Sequence, residues 1–416
     1  MKTSQYLIDV PLANNEEEHV FIHGYTAAID LVDAELAKFL TAHPVFQKTE
    51  LPCSEETACA LERRGYITEK TPEEEYAYVR RLADALFRKD CILHKSFTFV
   101  VTYNCNFRCP YCFEDGLHSK KTVFTKAMTD KAYRAIEEIV PVKEQRPKSI
   151  TLYGGEPLLK ENKEALSYLI YKGKEQGFHF SAVTNGYDLD AYSDLLSPET
   201  FTHLQITIDG VKSRHDQRRI HHEGYPTFDK IVSNIGIVLQ KGIVVSVRIN
   251  TDRDNINDLK ELQALFEQLH YTDNPNFTMH SSLLRNYADD EKETYKFFTQ
   301  KEFLQAYDKL QMKYECQDYG AYKRIYNAIK YCKPLSLRST FCGAQTSSYV
   351  LDPFGKIYTC WETVNQPTHC IGDYAQGDSI RWNEDVIKFW RKSHVIENPT
   401  CARCKYALLC GSGCPA

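Results

Sequence analysis

Residues 97–112 read FTFVVTYNCNFRCPYC, and the fold turns on how they are read. The run 98–103 is uncharged and rich in β-branched and aromatic residues, the pattern of a buried strand. It stops at Asn104 and gives way to Cys105, Cys109 and Cys112, spaced Cys-x3-Cys-x2-Cys on a loop.

Working outward, the same kind of buried strand is expected at 149–153, 178–184, 204–208, 244–249 and 277–280. Amphipathic helices are expected between them at 125–139, 163–176, 192–196, 228–241 and 257–270. Strands separated by helices imply parallel βαβ units, and six repeats over 91–290 predict an α/β fold, a partial (β/α)6 barrel. In such folds the chemistry sits at the C-terminal ends of the strands, and the cysteine loop follows the first of them directly.

Upstream, extended runs at 6–10, 19–23 and 27–31 precede helical periodicity at 33–42 and 55–64, a short extended wing at 65–70 and a charged amphipathic helix at 73–89. Residues 1–90 thus read as a small α+β unit with a linker helix and no ligand-like constellation. Residues 291–340 are charged, tyrosine-rich and helical in pattern, a bridge. From 341 to 416 cysteines, glycines and prolines punctuate the chain, as expected where metal sites substitute for a hydrophobic core.

The 416 residues suit two or three domains. Fifty-one lysines and arginines stand against 56 aspartates and glutamates without any long basic block, so nothing marks a nucleic-acid surface. The N-terminus lacks the basic start and apolar run of a signal peptide, and no stretch approaches the length of a membrane span. A soluble cytoplasmic protein without a membrane partner is expected.

In that compartment disulfides are rare, so 15 cysteines call for another reading: buried small hydrophobes, zinc, or iron–sulfur ligands. Cys53, Cys59, Cys91, Cys316, Cys332 and Cys370 are scattered and read as core filler. Cys105, Cys109 and Cys112 do not. A structural zinc site needs four ligands, and no fourth cysteine or well-spaced histidine pair lies near them. Three thiolates instead suit a cubane cluster with one iron open to another molecule.

This spacing resembles the radical S-adenosylmethionine superfamily, and the resemblance extends past the triplet. Gly154-Gly155-Glu156-Pro157, at the end of the second strand, is similar to the family's GGEP loop, although alone it is a strand-ending turn. Thr184-Asn185-Gly186, Thr207-Ile208-Asp209-Gly210 and Arg248-Ile249-Asn250 close the next three strands, at positions that in the family meet the ribose, carboxylate or sulfonium. Each alone is an ordinary turn sequence. Tyr111 matches an aromatic whose backbone meets the adenine, or is a packed loop aromatic. The resemblance implies a [4Fe-4S] cluster on Cys105, Cys109 and Cys112, S-adenosylmethionine, an electron donor such as flavodoxin or ferredoxin, and hydrogen abstraction by a 5'-deoxyadenosyl radical.

Cys342, Cys360, Cys401, Cys404, Cys410 and Cys414 form a second set. By itself Cys-x2-Cys with a later pair is a zinc-ribbon pattern. After such a barrel it resembles the SPASM domain, which holds auxiliary [4Fe-4S] clusters. The resemblance assigns Cys342, Cys360 and Cys414 to one auxiliary cluster and Cys401, Cys404 and Cys410 to another, each one ligand short. The end at Cys414-Pro415-Ala416 implies a truncated domain or an incomplete site. In sulfatase-maturing relatives a further cysteine follows the position of Cys342, and a carboxylate base follows that of Cys360. Here the residues are CGAQTSS over 342–348, and Trp361, so that activity is disfavoured. An open auxiliary iron resembles peptide thioether synthases; Cys370 or Cys332 remains as a closing ligand.

Residues 1–90 resemble the RiPP recognition element, which binds a precursor's leader peptide as an added strand, or else form a small cap. The expected protein is a radical maturase of a ribosomally made peptide that forms a cysteine thioether. Carbon–carbon crosslinking, epimerisation or oxidation of a peptide is the alternative within enzymes, and a non-catalytic zinc-containing peptide-binding protein the alternative outside them.

Overall fold

A computed structural model describes the chain except residues 115, 118–121, 286–295, 318–319, 402 and 416. The expected bridge over 291–340 therefore begins outside the described residues. The chain divides into two compact units. One comprises Met1–His94, Asp318–Ser347 and Asp385–Ala416, and the other Lys95–Gln317 and Ser348–Glu384.

In the first unit, β1 (Lys2–Thr3) pairs with β5 (Ile67–Thr68), while β2 (Leu7–Leu12), β3 (Asn15–His23) and β4 (Ile29–Asp33) form an antiparallel sheet in that order. The helices start where the sequence supplies caps. Asp33 accepts from the Leu36 N–H, Ser54 from the Thr57 N–H, and Thr71 with Glu74 forms a capping box ahead of Pro72–Leu93. Phe21, Leu36, Leu40, Leu61 and Tyr66 make one core. Tyr6, Tyr25, Val79 and Ala83 make another together with Val395, Ala407 and Leu408, so the last stretch of the chain packs within the same unit as the first.

The second unit carries β6 (Ser96–Thr102), β7 (Ser149–Gly154), β8 (His179–Thr184), β9 (Phe201–Thr207), β10 (Val244–Thr251) and β11 (Phe277–Leu283), parallel and adjacent in chain order. This is the expected α/β partial barrel. Helices Lys126–Ile139, Lys163–Glu175, Phe228–Gln240 and Asp258–Gln268 lie in the connections. The helix expected at 192–196 is instead a 3-10 turn, Leu189–Tyr192. The Tyr192 hydroxyl donates to the Leu159 carbonyl at 2.5 Å, fixing this turn against the residues that follow β7. A helix that the periodicity did not mark, Lys212–Arg218, follows β9.

On the other side of β6, β12 (Ser348–Leu351) adds a seventh parallel strand. Antiparallel β13 (Lys356–Tyr358), β14 (Gly372–Asp373) and β15 (Arg381–Trp382) complete the sheet. With β7 and β12 as neighbours β6 is interior, which accounts for burial of every residue from Phe97 to Tyr103. No described helix is long and apolar enough to cross a membrane.

Candidate active site

Parallel pairing brings the C-terminal ends of β6–β11 to one rim, and the cysteine loop leaves that rim from β6. Cys105 is buried, Cys109 and Cys112 partly so. Three segments hold the loop. On the first side, the Gly155 N–H donates to the Thr102 carbonyl at 3.0 Å and the Glu156 N–H to the Asn104 carbonyl at 2.9 Å. Only glycine allows this approach. A Cβ on Gly155 would lie within 2.5 Å of the Tyr103 carbonyl oxygen, and Gly154, at φ 118°, has the Thr102 carbonyl where its Cβ would be.

On the second side, Asn185 Nδ2 donates to Asn106 Oδ1 at 2.7 Å and lies 4.0 Å from Cys105 Sγ, while Asn106 Nδ2 reaches Asp188 at 3.3 Å. On the third, the Arg108 N–H donates to the Ile220 carbonyl at 2.7 Å and the His222 N–H to the Asn106 carbonyl at 2.8 Å. The loop is thus fixed through its backbone by the end of β7 and the segment after Lys212–Arg218, and through the Asn106 side chain by the end of β8.

Glu156 is buried and accepts from the Leu158 N–H at 2.9 Å, the Thr184 hydroxyl at 2.6 Å and the Asn185 N–H at 2.6 Å. Its carboxylate ties the end of β7 to the end of β8, with Pro157 buried behind it. Burial pushes its pKa up to about 7 against those three bonds.

A second network closes β9 and β10. Asp209 is buried and accepts from the Asn250 N–H at 2.9 Å; the Tyr111 hydroxyl donates to it, and Arg219 lies 3.8 Å away. Arg248 Nε donates to Asn250 Oδ1 at 3.0 Å, and Thr207 pairs in register with Arg248. The residues singled out from sequence therefore fall into two networks flanking the cysteine loop.

Sequence reasoning missed Arg218 and Arg219. Arg219 donates to the Tyr111 hydroxyl at 3.0 Å; Arg218 binds Asp252 at 3.0 and 2.9 Å and lies 5.3 Å from the Tyr111 ring centroid. In HDQRRIHH nothing in the local pattern sets the two adjacent arginines apart; the fold buries Arg219 and partly buries Arg218. Burial opposes the charge on Arg219, yet Cys109 and Asp209 hold its pKa above the usual value. Both Nε atoms are buried without a hydrogen-bond partner. Burial pushes the Cys105 thiol well above its ordinary pKa and Cys112 up to about 12, so binding a metal must displace protons. Three coupled thiols beside a buried guanidinium with an unused N–H fit an anionic iron–sulfur group.

The family model of the Radical SAM superfamily matches residues 99–266, the span that includes this site. These residues form a radical SAM domain. The domain implies a [4Fe-4S] cluster and S-adenosylmethionine. A curated relative from Methanocaldococcus jannaschii, named as a glycyl-radical enzyme activating enzyme, is 27% identical over 180 residues, 42% of this chain. The match spans 64% of that relative's length. Among solved structures, anSMEcpe with bound AdoMet and Cp18Cys peptide superposes with a TM-score of 0.54 at 17% identity, covering 77% of this chain and 88% of that one. Streptococcus suis SuiB bound to precursor peptide SuiA gives 0.52 at 13% identity over 99% of this chain and 95% of that one. At these identities the likeness is one of fold.

Of the second cysteine set, Cys401, Cys404 and Cys410 lie together in the first unit. Burial first, then the neighbouring Cys410 and Cys404, raises the Cys401 pKa. Cys342 and Cys414 also lie within electrostatic reach in that unit. Cys360 belongs to the second unit and follows β13.

Proposed function

We propose that the chain is a radical maturase of a ribosomally made peptide, joining a cysteine sulfur to a carbon of another residue. The observation that carries the radical part is the cysteine loop clamped by Gly154, Gly155 and Asn185 at the rim of the sheet. Cys105, Cys109 and Cys112 would hold the cluster, with Tyr111, Gly154–Pro157, Thr184, Asn185, Thr207, Asp209, Arg248 and Asn250 around S-adenosylmethionine. When bound, that pair supplies one-electron cleavage of the sulfonium and a 5'-deoxyadenosyl radical that takes hydrogen from substrate.

The protein's own part is positional. The glycines bring the β7 end against the loop backbone, Glu156 fixes β8 relative to β7, and Asp209 orients Tyr111 and the β10 end. Arg219 offsets the negative charge of the thiolates in a buried setting, where an uncompensated anion is costly.

For peptide binding, support comes from β4, an edge strand of the first unit. Beside it lies a cavity of about 760 Å³ lined by Ile29, Leu31, Arg63, Arg64, Ile329 and Lys333. An edge strand pairs with an extended leader, apolar walls take alternate side chains, and Arg63 and Lys333 favour an acidic leader, Arg64 being held by Asp30 and the Ile29 carbonyl. The absence of a carboxylate directly after Cys360 supports thioether formation over oxidation of a substrate thiol or hydroxyl. Auxiliary clusters on the second cysteine set and a flavodoxin or ferredoxin donor belong to the same proposal.

Anaerobic reconstitution followed by reaction with reductant, S-adenosylmethionine and a cysteine-containing precursor tests it. The expected result is 5'-deoxyadenosine and a peptide lighter by two hydrogens with one thiol lost. Loss of two hydrogens with every thiol retained overturns the thioether assignment. Uptake of zinc without 5'-deoxyadenosine overturns the enzyme.

A further inference from the structure

The turn after Cys360 touches the rim of the parallel sheet at two places. Trp361 stacks on Tyr153, with ring centroids 5.5 Å apart and planes 23° from parallel. Tyr153 is the last side chain of β7 before Gly154, on the strand face opposite the fully buried Ile150 and Leu152. The next residue of the turn, Glu362, accepts two hydrogen bonds from Arg285 Nη1, both at 3.1 Å. Arg285 lies just beyond the C-terminal end of β11.

β7 and β11 stand on either side of β8, β9 and β10 in the sheet. Two consecutive residues of the turn therefore tie together the two flanks of the rim, and the strand ends between those flanks carry Asn185, Asp209 and Asn250. The turn is braced within itself as well, since the Thr363 hydroxyl donates to the Cys360 carbonyl at 3.1 Å.

Trp361 nonetheless keeps 47% of its surface exposed. One face of the indole is covered by Tyr153 at the end of β7, and the rest presents exposed apolar area. Such area gains most from an apolar partner. An indole N–H donates only, so this side chain cannot act as a base. Glu362, engaged twice by Arg285, holds the turn.

We propose that Trp361 is a specificity-determining wall of the substrate site. The peptide residue brought to the rim is then aliphatic or aromatic, its apolar face covering the exposed indole. This rests on the peptide reading above and adds the class of residue that the site selects.

The test uses the reconstituted full chain with four synthetic peptides, acetyl-Gly-Cys-Gly-Gly-Xaa-Gly-Gly-amide, in which Xaa is Leu, Phe, Asp or Lys. The quantity read is 5'-deoxyadenosine formation with peptide divided by that without. Leu and Phe are expected to stimulate at least roughly fivefold more than Asp and Lys. Trp361→Ala is expected to level the four within about twofold, while Trp361→Phe keeps their order. A Trp361→Ala enzyme with the full preference, or an unsubstituted enzyme that responds to peptides without preference, overturns the assignment of Trp361 and leaves the peptide reading standing. No stimulation by any peptide, with 5'-deoxyadenosine still formed, overturns the Trp361 wall, which requires these side chains to bind at the rim, and leaves the peptide reading to the precursor reaction above.

Discussion

The two cysteine regions are built on opposite plans. The 105–112 loop is fixed by its surroundings: Cys105 is 8% exposed, and backbone bonds from residues 155, 156 and 222 and to residue 220 hold the chain in place. Among its described residues the 401–414 stretch has one four-residue helix, Ala407–Cys410, anchored by Ala407, Leu408 and Leu409, all buried, with Cys410 and Cys414 exposed. Short turns such as Cys404 N–H to the Cys401 carbonyl at 3.0 Å do the rest. The first site is organised by the fold before anything binds. Under the function proposed above, the second would gain order from what its thiols bind, as small metal domains do.

The sharpest way to break that contrast is to remove one thiol from the organised site. Cys109→Ala should lower S-adenosylmethionine cleavage by at least ~10³-fold, measured as 5'-deoxyadenosine, while the thermal midpoint of the metal-free protein stays near that of the unsubstituted chain. A large fall in that midpoint would mean that the loop is not held by the strands around it.

Stripping metal should act in the other direction. Chelation is expected to expose the 395–414 segment to limited proteolysis while leaving the barrel segment 96–283 resistant, read by mass spectrometry of the fragments. Equal cleavage of both would erase the difference between the two plans.

Gly155→Ala probes the packing directly. Because a Cβ there would meet the Asn104 and Tyr103 carbonyls, the substitution should cost about 1–3 kcal/mol in denaturant unfolding and reduce iron uptake at the first site. An unchanged midpoint with full iron loading would show that the GGEP loop can shift freely.

A pH-dependent effect on stability concerns Asp352, which supports the loop from the end of the strand next to β6. It is buried, accepts from the Tyr103 hydroxyl at 3.0 Å and from the Phe354 and Lys356 N–H groups at 3.0 and 2.8 Å, and burial raises its pKa to about 6. The folded chain therefore holds this proton more tightly than the unfolded chain. Its contribution to stability is full below the usual carboxylate pKa of 3.8 and is lost as pH rises toward 6. Compared with Asp352→Asn, the unsubstituted protein should lose on the order of 2–3 kcal/mol between those limits. Parallel stability curves over that range would refute the assignment.

Much of this was legible in the chain itself. The strands were readable because β6 to β11 are covered by helices and carry apolar runs, and their ends were marked by Gly-Gly, Asn-Gly and Asp-Gly. The GGEP stretch was legible as a site but not as a clamp, since its glycines answer to the Tyr103 and Asn104 carbonyls some fifty residues earlier. The short helix Lys212–Arg218 escaped notice because seven mostly charged residues have no apolar period to display. The two arginines there acquire meaning only from Tyr111 and Asp209.

Local pattern by itself determined the α/β class, the six parallel strands and the three thiols on one loop, because alternation, apolar runs and cysteine spacing are properties of neighbouring residues. Tertiary structure alone decided what surrounds those thiols. It placed β12 against β6, buried Arg219 and set Arg218 against Asp252, and stacked Trp361 on Tyr153 across some two hundred residues. Such pairings depend on which surfaces meet when the sheet and its helices pack, and chain-local sequence carries no trace of them.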